Sequence, residues 1–213
     1  MFNFLKRSAV VALLMISLAA CAQKLPPELQ NPTFHSQNVS NLSVGVTDHR
    51  DFILSKDKEP WFEGIMHGPF GVPMNPKRIG ATEGRPFAYY LSTMLQASFV
   101  KSGADVAIIE LPMGLSIENA IQKLVEVGRP GIIVKINKSR YAFWMSADYQ
   151  SDFDIVVVDR EGRIQVQKNF AQWDEKIPLS SSYNVFDMFT AIYTKELQKV
   201  LDDPQIKAAI EGI

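Results

Sequence analysis

The order of apolar patterns predicts an α+β or mixed α/β domain. It holds a mixed sheet of about five strands, with three to four helices packed on it. Three observations carry this expectation. Leu42, Val44 and Val46 alternate with polar or small residues, the period of a strand. Apolar residues recur at helical spacing over 85–103 and again over 117–127, each time between strand-like runs. Three alternating stretches between 130 and 173 follow one another across short turns, which makes a C-terminal β-meander.

Taken in order, NLSVGVTD (41–48) is the first strand and ends in a polar turn, Asp48-His49-Arg50-Asp51. The stretch 50–85 is rich in glycine and proline and has no regular period. It also carries Trp61, Phe62, Ile65, Met66, Phe70, Val72 and Met74, too apolar for a disordered segment. It reads as an ordered loop packed over the domain or over a partner. A helix follows over 85–103, with Pro86 at its start, Gly103 at its end, and Phe87, Tyr90, Leu91, Met94, Leu95 and Phe99 on one face. DVAIIE (105–110) is a short buried strand. Ser116 caps a second helix that Gly128 ends. The meander strands are 130–145, 148–159 and 162–173, the last two joined at Asp159-Arg160-Glu161-Gly162. A helix from Ser182 to about Leu201 and a short one after Asp202-Asp203-Pro204 complete the chain.

The N-terminus has a different character. Lys6 and Arg7 precede an apolar run of about 13 residues. A membrane-spanning helix needs roughly 20. A charged start, a short apolar run and small residues at its end make a secretory signal over 1–20. Its last residues, Leu18-Ala19-Ala20-Cys21, resemble a bacterial lipobox. That resemblance implies cleavage before Cys21 and a diacylglyceryl thioether on its sulfur, whose thiolate is the nucleophile. Two or more acyl chains anchor a protein stably. Ala22 stands where an Asp would signal inner-membrane retention, so the resemblance implies the outer membrane, facing the periplasm. Residues 21–40, with Pro26, Pro27 and Pro32, read as the lipidated end and a flexible linker, and 41–213 as one periplasmic domain.

Composition narrows the function. Loss of 1–20 removes Lys6 and Arg7 and moves the formal charge from −1 to −3. There is no basic stripe, which excludes a nucleic-acid partner. The lipobox resemblance implies that the one cysteine carries lipid, so the exported fold is expected to hold by core packing, with thirteen Phe, six Tyr and three Trp available.

The lipobox, the proline-spaced segment, the Asp48-His49-Arg50 turn, the aromatic helix, the strand–hairpin–strand of 152–173 and the closing "DDPQIKAAI" together resemble the YajG-type and transport-auxiliary lipoproteins of Gram-negative envelopes. The resemblance spans most of 40–205, and the loop at 56–85 departs from it. It implies an envelope lipoprotein without catalytic chemistry and supplies no binding residues.

Motifs for hydrolysis, phosphate binding and dinucleotide binding are missing from the sequence. Ser98 to Lys101 spells Ser-x-x-Lys, but it overlaps Lys101-Ser102-Gly103, whereas penicillin-binding enzymes need the two on separate elements. His49 with Asp48 and Asp51 lacks a second histidine at ligand spacing and reads as a solvated turn; no metal and no cofactor is expected. His67 reads as a hydrogen-bonded surface group. Asp148, Asp152 and Asp154 place carboxylates along one strand, with Asp152 and Asp154 on one face, which reads as a solvent-facing polar edge or as a paired acid–base site. The candidate partner-binding residues are Trp61, Phe62, Phe70 and Trp144. Trp61 and Phe62 point opposite ways in extended chain, so one is expected in the core and one outside. The leading expectation is a membrane-anchored, non-catalytic binding component of an envelope complex or transport system. The alternatives are an envelope glycan or peptidoglycan hydrolase using paired carboxylates, and a small-ligand or lipid-binding domain.

Overall fold

The computed structural model describes residues 24–213 except 37, 79, 81, 145 and 178–183. The signal segment 1–20, Cys21 and Ser182 therefore lie outside the described residues.

The described residues form an α+β domain with five helices and one mixed sheet of seven strands. The first strand, β1 (Asn41–Asp48), is buried almost throughout. It lies between β4 (Asp105–Glu110) and β5 (Gly131–Phe143), parallel to both. β6 (Ala147–Val158) and β7 (Ile164–Ile177) continue antiparallel from β5, which is the expected meander. β7 runs beyond the expected end at 173 because its pairing continues to Ala147↔Ile177.

The sheet is larger than five strands because the long loop enters it. After a short helix α1 (Asp51–Leu54), β2 (Gly64–His67) and β3 (Pro73–Met74) form a small hairpin. β5 is long enough to outrun β1, and β2 pairs in parallel with the exposed remainder, Gly64↔Tyr141 through Met66↔Phe143. Only glycine fits at 64, since a Cβ there would collide with the Tyr141 backbone carbonyl.

Helices α2 (Phe87–Lys101), α4 (Val185–Asp202) and α5 (Pro204–Glu211) contribute to the main core on one face of the sheet. There Leu42, Val44, Ile132, Val134, Phe153 and Ile155 meet Leu91, Leu95, Phe189, Tyr193 and Leu197. α3 (Ile117–Val127) covers part of the opposite face through Ala120 and Leu124 against Ile133, Val156 and Val158. Its ends are locally determined. The Ser116 hydroxyl accepts from the Asn119 amide at 3.3 Å, and Gly128 takes a left-handed φ of 71°. Asn184 caps α4 by accepting from the Asp187 amide, and Asp203 caps α5 by accepting from the Gln205 and Ile206 amides.

Residues 24–40 correct the expectation of a flexible linker. Leu25, Phe34 and Val39 are buried, and Phe34 packs on Phe99 with ring centroids 4.9 Å apart. The segment runs beside α4: Thr194 donates to the Leu29 carbonyl, and Gln198 bonds both the amide and the carbonyl of Thr33. Irregularly spaced single anchors hold it, a pattern without a period for the sequence to show.

Candidate functional site

The candidate partner residues of loop 50–85 are placed by how that loop is fastened. Its first fastening is Arg50. The guanidinium is fully buried and makes a forked pair with Asp48, Nη2 to Oδ2 at 2.7 Å and Nε to Oδ1 at 2.9 Å. Its Nη1 donates to the carbonyls of Phe62 and Ser139, and its charge lies 4.9 Å from the Phe87 ring centroid. The turn Asp48-His49-Arg50 is thus not a solvated cap. It is the internal clamp that ties loop, β1 and β5 together. His49 belongs to the same turn, its Nε2 2.8 Å from the Leu115 carbonyl. Among the described residues no three His, Cys, Asp or Glu side chains gather as metal ligands.

The second fastening is Arg78 on Glu63. Nε and Nη2 meet the two carboxylate oxygens at 2.6 and 2.9 Å, and the Tyr193 hydroxyl donates to Glu63 Oε2 at 2.9 Å. Arg78 Nη1 donates to Thr190 of α4, and the guanidinium lies over the Tyr90 ring at 3.9 Å. Burial lowers the Arg78 pKa, but the Glu63 carboxylate more than reverses this, so it ends above its ordinary value. Burial, then the Glu63 charge, drives the Tyr193 phenol well above its own. A surface cleft of about 680 Å³ opens here, lined by Lys24, Leu25, Arg78, Tyr90, Phe186 and Asp187 among others. Glu63 and Thr190 already occupy the guanidinium fork, so the cleft does not present it to a ligand anion.

These fastenings divide the four candidate partner residues. Phe62, 3% exposed, packs edge-on against Phe52 with centroids 5.3 Å apart. It belongs to the core, which corrects its assignment as a binding residue. Trp61 is half-buried, with the Lys77 ammonium 5.6 Å from its ring centroid. Phe70 is fully exposed at the turn between β2 and β3, in a left-handed backbone with φ 63°. Trp144, at the end of β5, is 65% exposed, with its ring centroid 6.1 Å from that of His67. Pairing of β2 with β5 brings the hairpin and Trp144 to one end of the sheet, where Val72 and Met74 are exposed too. The sequence offered Phe70 and Trp144 singly; their grouping depends on a pairing it does not show. His67 Nδ1 lies 3.2 Å from the Phe143 carbonyl, which holds its ring within this group.

The carboxylates lie elsewhere, on the sheet face opposite the main core. Asn137 and Asn169 each donate to both Asp152 and Asp154, at 2.7–3.2 Å. Lys135 approaches Asp154 at 3.7 Å. Burial raises the Asp154 pKa, but the two amides and the ammonium outweigh it, and it ends below its ordinary value. A general acid requires the opposite shift. Asp148 stands apart and accepts from the Lys176 backbone amide. Ser98 of the Ser-x-x-Lys match is fully buried within α2, closed off from solvent.

One feature escaped the sequence reading. Among the described residues β7 pairs only with β6, so a strand of 14 residues presents its other edge unpaired. Val166, Phe170 and Ile177 pack towards the core, while Gln167, Asn169, Ala171, Trp173 and Glu175 are exposed.

No protein-family model matches the chain, and no curated protein is similar to it. Among solved structures, a DUF330 protein from Xanthomonas campestris is 13% identical, with 89% of this chain and 91% of that chain covered at a TM-score of 0.43. The PelC dodecamer from Paraburkholderia phytofirmans is 11% identical, with 79% and 91% covered at a TM-score of 0.37. Lipoprotein GNA1162 from Neisseria meningitidis is 7% identical, with 76% and 99% covered at a TM-score of 0.36. Likenesses this weak carry no weight in the functional reading.

Proposed function

We propose that the protein is an outer-membrane lipoprotein, anchored through Cys21, whose periplasmic domain binds another envelope component without catalysing a reaction. The lipobox-like Leu18-Ala19-Ala20-Cys21 behind a charged and then apolar start supports the anchor. The observation that carries the binding role is the edge of β7 that no strand pairs among the described residues. Its backbone donors and acceptors suit an added strand from a partner's extended segment, and exposed Trp173 offers an aromatic contact beside it. The hydrolase alternative is weakened by Asp152 and Asp154, which lie on an open face bridged by Asn137 and Asn169, with the Asp154 carboxyl held below its ordinary value.

The test is site-specific photo-crosslinking in intact cells. A benzophenone amino acid is placed in turn at Gln167, Ala171 and Trp173, and as controls at Glu118 and Lys123 on α3. Crosslinks to one envelope protein from β7 and none from α3 support strand addition. Equal labelling from both elements, or none from β7, overturns it.

A further inference from the structure

The first described residues of the chain and the exposed apolar hairpin lie at the same end of the molecule. Leu25 is the first buried residue of the described chain, and it lines the cleft at the start of α4 with Phe186 and Asp187. Phe189, one turn further along α4, stacks on Tyr141 with ring centroids 3.5 Å apart. Tyr141 is the β5 residue that pairs with Gly64 of the hairpin. Chain entry, start of α4, end of β5 and hairpin therefore share one pole. Leu25 follows Cys21 by four residues. Even fully extended, these reach about 14 Å. A lipid on Cys21 would hold this pole on the bilayer, with no long tether between.

The residues at that pole suit such a surface. Phe70, Val72 and Met74 expose apolar side chains on the hairpin, and Trp144 stands exposed beside it. Isolated apolar residues on a surface need no explanation, but apolar tips next to an indole match the partition of Phe and Trp into the membrane interface. Val100, Val127 and Ile164 are exposed towards the other pole, at the end of α2, the end of α3 and the start of β7. They have no aromatic among them.

We infer that the β2–β3 hairpin, with Phe70 at its tip and Trp144 beside it, is a second membrane contact that dips into the lipid leaflet holding the acyl chains of Cys21. This rests on the lipoprotein reading above. It assigns the aromatic tip to lipid and leaves the β7 edge for a protein partner. An interfacial contact adds to acyl anchoring and fixes the orientation of the domain.

The experiment uses the full chain with its native N-terminal modification, reconstituted in phosphatidylcholine vesicles containing brominated phosphatidylcholine. Trp61→Phe and Trp173→Phe leave Trp144 as the only indole. Intact mass and vesicle flotation report the anchor, and bromine quenching of Trp144 reports the tip. The expected result is an acylated, floating protein whose Trp144 is quenched. Quenching should be lost, with a red shift of emission, in Phe70→Ser/Val72→Ser/Met74→Ser, and kept in Val100→Ser. Circular dichroism melts establish that each variant is folded. An acylated, floating protein with unquenched Trp144 overturns the tip contact and leaves the lipoprotein reading standing. A chain without acyl groups overturns that reading and the tip contact with it. A photo-crosslinker at position 70 in cells gives an independent readout: adducts with phospholipid support the proposal, and adducts with a protein overturn it.

Discussion

The base and the tip of loop 50–85 are written in the same residues, glycine, proline and aromatics, yet they differ in every physical respect. At the base, Phe62 is sealed and its carbonyl is taken by Arg50, while Glu63 is taken by Arg78 and Tyr193. At the tip, Phe70, Val72 and Met74 are exposed. Composition alone cannot distinguish an apolar loop that is core from one that is interface. What separates them is whether a buried charge organises the backbone around them. Two arginines do so at the base, because a fork of donors satisfies carboxylates together with the Phe62 carbonyl of the loop, the Ser139 carbonyl of β5 and the Thr190 hydroxyl of α4.

The largest expected effect follows from breaking the base. Arg50→Ala leaves the Asp48 carboxylate buried without its partner and frees the Phe62 and Ser139 carbonyls. Removing one member of a buried pair costs about 3–5 kcal/mol. Urea denaturation should show this loss, and a near-neutral result would mean that the clamp does not organise the loop. Phe62→Ala comes next, at about 3 kcal/mol, as a buried aromatic truncation. Trp61→Ala should cost less, about 1–2 kcal/mol, since its ring is only half-buried. Equal losses at 61 and 62 would erase the distinction between neighbours that face opposite ways.

A cap remote from the loop sets the scale for a purely local interaction. Asp203→Ala removes two amide contacts at the start of α5 and the Lys168 pair, worth about 1 kcal/mol. The bond from Lys168 holds the Asp203 carboxyl below its ordinary value, burial opposing, with the Ile206 and Gln205 amides adding to the lowering. A depressed folded-state pKa means that the contribution is present above the ordinary carboxylate range. It is lost as pH falls through the folded value. The gap between wild type and variant should therefore shrink in acid melts, and a gap that widens would contradict the assigned pairing.

Local chemistry was legible in the sequence, and long-range pairing was not. Ser116 and Gly128 mark the ends of α3 because a cap is made within four residues. The meander showed itself because β5, β6 and β7 are consecutive. The hairpin's place was hidden because Gly64 pairs with Tyr141, far along the chain. Arg50 reads as a surface charge until its partner carbonyls, Phe62 and Ser139, are brought to it from 12 and 89 residues away. Residues 24–40 were hidden for another reason. Leu25, Phe34 and Val39 are buried one at a time, and three prolines nearby suggest an extended tether whether or not the segment lies on a surface. Of the candidate residues, Phe70 and Trp144 stayed exposed, whereas Phe62 answered to the core.

The smallest expected effect is the most informative about the tip. Phe70→Ser should change stability in solution by no more than about 0.5 kcal/mol, the range of surface substitutions away from caps and cores. The ring is fully exposed, so truncation returns no buried area to water. The left-handed backbone at Phe70, φ 63°, is not a conformation that the phenyl group favours, so the turn loses no intrinsic support either. Thermal melts of the variant in buffer should overlay those of the parent. A loss comparable to that of Phe62→Ala would mean that the tip packs on the domain, and the two parts of the loop would then be one. If the melts overlay in buffer but the variant loses the stabilisation that vesicles give the parent, the tip's role is outside the fold. An exposed aromatic that costs nothing to remove in solution, yet something at a membrane, is accounted for by the surface it meets.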